Sequence, residues 1–274
     1  SCKKDINKTK DLTLNITGLE DLGTTARYEG WIITAGNPVS TGVFTVNASG
    51  QLSKTDFEVN KSDLANATAF VLTIEPFPDT DPAPSAQHIL AGDFSAANAS
   101  LSIGHSAALN TTFLTAAGKY VLATPSTPVT TDELSGLWFI NLTTGSPTAG
   151  LNLPALPTGW KYEGWALISG RPVSTGVFTS SSGADASSPF SGTGGVPQFP
   201  GEDFIMNAPT GLTFPTNLSG GAAVISVEPF PDNSPLPFLL KPLVGNIPSP
   251  ASDHLTYNMA LNTASFPTGT AIRD

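Results

Sequence analysis

Two stretches of this chain are nearly the same: YEGWIITAGNPVSTGVFT from Tyr28 and YEGWALISGRPVSTGVFT from Tyr162, identical at 13 of 18 positions with a constant offset of 134. Whatever fold the chain adopts must accommodate this aromatic, glycine-punctuated unit twice. Two further blocks recur in the same order. FVLTIEPFPDTDPAP (Phe70 to Pro84) returns as AVISVEPFPDNSPLP (Ala223 to Pro237), and HSAALNTTF (His105 to Phe113) is echoed by HLTYNMALNTASF (His254 to Phe266). The period is far longer than the roughly 20–50 residues of solenoids and propellers, so duplication of a whole domain is expected rather than a repeat array.

The local patterns are those of strands. LTLNITGL (Leu12 to Leu19) alternates apolar and polar residues, as a half-buried strand does. YEGWIIT and VSTGVFTV are aromatic and β-branched, and AGNP between them offers a glycine for positive φ and a proline to end the first strand. FVLTIEP and AVISVEP are near-continuous apolar runs, the mark of a strand covered on both faces. GKYVLAT and GLWFINL add two more strands, and no window shows helical periodicity beyond two turns. The expected class is all-β, with two tandem homologous β-sandwich domains, immunoglobulin-like or jelly-roll-like. The Pro- and Thr-rich stretch from Ala123 to Glu133 marks the expected boundary, giving a tether over residues 1–10, copy 1 over 11–130 and copy 2 over 131–274. The copies differ most in one loop, Ser180 to Asp203, against the shorter Val46 to Asn60.

Composition narrows the partners. Only 12% of residues are charged, and the net charge of −10 repels phosphate backbones, so nucleic acid is excluded. Lys3, Lys4, Lys8 and Lys10 crowd the first ten positions, and no apolar run approaches the roughly 18 residues of a spanning helix. The lone cysteine, Cys2, rules out an internal disulfide. Its setting, SCKKD, resembles a bacterial lipobox end followed by a mature lipoprotein, which implies lipidation at Cys2, a flexible spacer and a membrane as partner; the plainer alternative is an exposed free thiol.

Candidate chemistry centres on carboxylates. Glu29 and Glu163 share a strand face with Trp31 and Trp165, an arrangement open to a carbohydrate platform or a general acid; the blander role is an outward glutamate beside core tryptophans. The EPFPD blocks supply Glu75 and Asp79, then Glu228 and Asp232; such pairs on a proline-stiffened turn could coordinate Ca²⁺, with Asp81 added in the first copy only. A strand-ending role for these acids is favoured, and neither a metal nor another cofactor is expected. His88, His105 and His254 have no spacing suited to a metal. No nucleophile elbow, phosphate loop or dinucleotide fingerprint occurs, so no catalytic residue is assigned.

With these blocks in view, the chain resembles the extracytoplasmic C-terminal domain of the anti-sigma-K factor family, present twice. The matching features are Tyr28 and Trp31, Pro38 and Val39, Gly42 and Phe44, then Thr73, Glu75 and Pro76; in the second copy they are Tyr162 and Trp165, Pro172 and Val173, Gly176 and Phe178, then Ser226, Glu228 and Pro229. The resemblance implies an extracytoplasmic sensing or interaction module. It does not carry over sigma-factor binding, because the helical domain that grips the sigma factor has no counterpart in this sequence. The expectation is a non-enzymatic, lipid-anchored bacterial cell-envelope protein, periplasmic or on the outer surface, with a protein or glycan partner. A glycan-binding or glycan-active protein is the alternative, resting on Trp31, Trp138, Trp160 and Trp165 and on the paired carboxylates.

Overall fold

The computed structural model describes residues 8–232 and 234–274. Cys2 lies outside the described residues. Along the chain come β1 (Thr9–Thr17), β2 (Ala26–Thr34), β3 (Asn37–Phe44), β4 (Asp56–Asn60), the short helix α1 (Lys61–Asn66), β5 (Ala67–Pro76), β6 (His88–Ser95) and β7 (Asn98–Ser102). Next are β8 (Ala117–Leu122), β9 (Gly136–Trp138), β10 (Ile140–Asn141), β11 (Thr148–Ala149), β12 (Leu151–Asn152), β13 (Trp160–Ile168) and β14 (Arg171–Phe178). The last are β15 (Gly201–Asp203), β16 (Ala222–Pro229), β17 (Leu243–Asn246), β18 (Tyr257–Asn258), β19 (Ala260–Leu261) and β20 (Thr268–Arg273). The protein is therefore nearly all β, as the alternating and β-branched runs require, and no helix among the described residues is long and apolar enough to cross a membrane.

The chain forms two units. Of the described residues, the first comprises 8–112, 157–159 and 265–274; the second comprises 113–156, 160–232 and 234–264. In the first, one eight-stranded sheet runs β3-β2-β5-β6-β7-β20-β1-β4. Its two edges approach one another, with the Phe44 and Phe57 rings 6.1 Å apart, so the sheet curls into a barrel-like arrangement. Leu12, Leu14 and Ile16 alternate along β1 as buried residues. Strand β5 is buried on both faces, as its unbroken apolar run requires: Phe70 and Leu72 lie on one side, while Val71 packs with Trp31, Ala91 and Ala108 on the other. The second unit has a sheet β14-β13-β16-β17-β19 and a second sheet β12-β8-β9-β15, with β18 also on β8, in a sandwich-like arrangement.

Two details depart from expectation. Pro38 and Pro172 do not end the first strand of their hairpins; each lies inside the following strand, opposite Ile33 and Leu167. Because β3 and β14 are edge strands, a residue without an N–H breaks no ladder there. The second departure concerns the units. Strand β8 follows the HSAALNTTF block but pairs with β9, β12 and β18 in the second unit. Strand β20 follows the matching ALNTASF block and inserts between β1 and β7 in the first. Residues 113–130, placed with copy 1 from sequence, thus pack in the second unit, and residues 265–274, placed with copy 2, pack in the first.

Candidate functional site

The repeated hairpins carry the site. In the first unit Ala35 and Gly36, with φ of 50° and 77°, form the two-residue turn between β2 and β3; Ser169 and Gly170, at 51° and 76°, do the same between β13 and β14. Six residues after the first glycine and six after the second, the ladder slips. Gly30 opposes Gly42 but Trp31 opposes Ser40, and Gly164 opposes Gly176 but Trp165 opposes Ser174, so Thr41 and Thr175 are the extra residues of two β-bulges. Gly42 and Gly176 close these bulges at φ of 122° and 127°, which a side chain would resist. The bulge turns Ser40 onto the face of Glu29, where its hydroxyl donates to Glu29 Oε1 at 2.5 Å; Ser174 donates to Glu163 Oε1 at 2.5 Å.

The neighbouring strand supplies a second carboxylate. Trp31 Nε1 donates to Thr73 Oγ1 at 2.9 Å, and Thr73 donates to Glu75 Oε1 at 2.5 Å. In the second unit Trp165 Nε1 donates to Ser226 Oγ at 2.8 Å, and Ser226 donates to Glu228 Oε1 at 2.5 Å. A hydroxyl has one proton, so the indole N–H on its oxygen directs that proton to the carboxylate. A backbone N–H completes each set: Ser85 N to Glu75 Oε1 and Phe238 N to Glu228 Oε1, both at 2.8 Å. Beyond each glutamate the EPFPD turn brings back an aspartate. Glu29, Glu75 and Asp79 gather in one unit and Glu163, Glu228 and Asp232 in the other, with one oxygen from each residue within 4.8 Å of the others in its trio.

Among the described residues, Glu75 and Glu228 form no ion pair with the basic residues of the adjoining strand. Arg27 stands opposite Glu75 and Lys161 opposite Glu228, yet the Arg27 guanidinium lies 4.1 Å from the Phe77 ring centroid and Lys161 Nζ lies 3.5 Å from that of Phe230. Burial therefore dominates the carboxyl equilibria. It pushes Glu228 up to about 8 and Glu163 up to about 7, reinforced in both by the charge of Asp232, and it raises the more open Glu29 as well. Glu163 Oε2 is buried without a hydrogen-bond partner among the described residues.

The other residues singled out from sequence fall elsewhere. Trp31, Trp138, Trp160 and Trp165 are all buried, so none presents a ring face to a sugar, and the platform on which the glycan alternative rested is missing. Trp31 and Trp165 act instead by holding the Thr73 and Ser226 hydroxyls. Asp81 stays in its own turn, accepting from Ala83 N at 2.9 Å. His105 contacts Asp93 at 3.1 Å, His254 contacts Asp253 at 2.9 Å, and His88 Nδ1 lies 2.9 Å from Ala107 O. Thr73 and Ser226 enter the sequence analysis only as matching positions of the resemblance, without a role, and Ser40 and Ser174 are not singled out there; the T-x-E and S-x-E alternation and the S-T-G bulge are the available signals.

The Ser180–Asp203 stretch, expected to be a surface loop, ends in β15, where Glu202 and Asp203 are fully buried. Asp203 accepts from Ser126 N at 2.8 Å, from the Ser126 hydroxyl and from Trp138 Nε1 at 2.7 Å. Glu202 accepts from the Ser191 hydroxyl, and Asp185 accepts from Gly201 N at 2.9 Å. Burial lifts Asp185 from 3.8 and Glu202 from 4.5, each to about 7, and raises Asp203 too. The folded chain therefore holds protons that the unfolded chain releases near pH 4, so stability falls as pH rises from about 4 to 8, the upper end set by Glu228, and levels above it. The second unit is expected to melt at lower temperature at pH 8 than at pH 5, with Glu202 contributing on the order of 2 kcal/mol. Thermal melts across pH check this: E202Q flattens part of the slope, the remainder coming from the other raised carboxyls, Glu163 and Glu228 among them. In comparisons with known protein families, curated proteins and solved structures, nothing matches this chain.

Proposed function

We propose that the chain is a non-enzymatic cell-envelope module, held to a membrane through a lipid on Cys2, with duplicated anti-sigma-K-like extracytoplasmic domains that serve sensing, regulation or interaction. The observation that carries this is what the repeats are used for. Both copies spend their recurring residues on one framework of bulge, indole, hydroxyl and carboxylate, with Trp31, Thr73 and Glu75 matched by Trp165, Ser226 and Glu228. Duplication of an ancestral domain accounts for that match position by position.

Recognition then belongs to segments that the copies do not share, Val46 to Asn60 and Ser180 to Asp203. The second of these is anchored from beneath by Asp203 and Glu202, so its exposed part is presented from a fixed base. A membrane is the first partner, and an envelope protein is the second.

The test uses cells making the full-length protein. Mass spectrometry of the N-terminal peptide should find Cys2 lipidated, and Cys2→Ala should leave the membrane fraction. An unmodified Cys2 in membrane-bound protein overturns the tether. Turnover of any envelope polymer by the purified protein overturns the non-enzymatic assignment.

A further inference from the structure

We infer that Glu163, Glu228 and Asp232 of the second unit form a binding site for a hard divalent cation of the size of Ca²⁺. This does not depend on where the chain resides or how it is anchored. Three acidic groups side by side would be weak grounds; the placement of their donors is what points to a ligand. Both donors to Glu228, the Ser226 hydroxyl and Phe238 N, go to Oε1. The Ser174 hydroxyl likewise goes to Oε1 of Glu163. Each glutamate is thus gripped by one oxygen, which leaves its Oε2 for the trio.

Glu163 supplies the independent observation. Glu163 is only 5% exposed, and its Oε2 is buried with no hydrogen-bond partner among the described residues. A buried acceptor left in this condition costs free energy unless something positive or a proton donor meets it. A cation between the three carboxylates meets that oxygen, and it balances charge on Glu163 and Glu228 that Lys161, engaged with the Phe230 ring, does not. The first unit repeats the set as Glu29, Glu75 and Asp79 in a more open setting, and a weaker site of the same kind is expected there.

The chemistry selects the ion. The trio offers only carboxylate oxygens, with no histidine or cysteine among them, which disfavours zinc. Ligands on opposite sides of Ca²⁺, at about 2.3–2.6 Å each, stand about 5 Å apart, so oxygens within 4.8 Å of one another can share one such ion. Mg²⁺ demands a tighter octahedron and keeps its waters. Three carboxylates on a two-strand and turn scaffold, without a dedicated loop, suggest an affinity of about 10⁻⁴–10⁻³ M.

The experiment is thermal melting of the whole protein at pH 7.5 with chelator, with Ca²⁺ and with Mg²⁺, beside Tb³⁺ luminescence excited through tryptophan. At Ca²⁺ about tenfold above Kd the second unit's transition should rise by about 3–6 °C, with little change in Mg²⁺. Tb³⁺ emission sensitised through Trp165 should appear and be displaced by Ca²⁺. E163Q, which supplies an amide N–H₂ in place of the unpaired oxygen, should abolish the Ca²⁺ shift while raising the melting temperature in chelator. Should E163Q fold poorly, D232N in the turn tests the same loss, and E29Q should leave the second unit's shift intact. No Ca²⁺ shift at about 10 mM, well above that affinity range, overturns the assignment. So does a shift that survives in both E163Q and D232N, which would place the ion elsewhere.

Discussion

Truncation after Ala264 is expected to unfold the first unit while the second keeps its fold. The ten residues removed include β20, which is not a peripheral strand: it fills the gap between β1 and β7 of the eight-stranded sheet. Leu12 to Thr17 pair along one side of it, and Asn98 to Ser102 along the other. Ala271 is fully buried, and Gly269 lies so close to β1 that an added Cβ would meet Asn15 O at 2.3 Å. Arg273 fastens the end, donating to the carbonyls of Leu64 at 2.9 Å, Ala67 at 2.8 Å and Ala96 at 3.0 Å and lying over the Phe94 ring at 4.4 Å. Losing a central strand splits one sheet into two and exposes its interior, an effect comparable with the whole ~5–15 kcal/mol stability of a domain. Hydrogen exchange would show it directly, with protection lost over β1, β5 and β7 and retained over β13 and β16. A synthetic peptide of residues 265–274 added in trans should restore protection; unchanged exchange in the truncated chain would refute the strand's central role.

Asp203→Ala is expected to cost the second unit about 3–5 kcal/mol, because it strands the Ser126 N–H and the Trp138 indole N–H without water or acceptor. Asp203→Asn keeps the volume but turns an N–H₂ toward one of those donors, so an intermediate loss of about 2 kcal/mol is expected. Urea unfolding followed by tryptophan fluorescence measures both, since Trp138 reports on its own partner. A D203A change within about 0.5 kcal/mol of wild type, the range of an ordinary surface substitution, would show that the contact is incidental. The loss also loosens the base of the Ser180–Asp203 stretch, which the same carboxylate joins to the Ser126 segment, so on the proposed function it should weaken partner binding.

The hairpins were legible in the sequence because everything that makes them is local: alternating apolar positions and an A-G or S-G pair that accepts positive φ. The two-sided burial of β5 and β16 was legible for the same reason. The carboxylate trios were half legible. EPFPD places a glutamate and an aspartate four positions apart, but Glu29 joins Glu75 only through the register that sets Glu29 opposite Thr73, a non-local pairing. The serine on Glu29 depends on a one-residue bulge, and a slip of one residue reverses every side chain beyond it. The Gly- and Ser-rich composition before β15 concealed Glu202 and Asp203, since composition does not reveal that an indole N–H and a backbone N–H nearby require an acceptor. Nor could the destinations of β8 and β20 be read, because a strand's own pattern is the same whichever sheet receives it.

The crossing of β8 and β20 has a consequence for synthesis. A ribosome makes β1 to β7 before the second unit, yet β20 follows every strand of that unit. The half translated first is thus the half completed last. Until β20 is made, β1 and β7 have open flanks, and the nascent chain must be kept from pairing them with other strands. Folding of the first unit therefore waits on synthesis of the second, whatever the order in which their other strands are made.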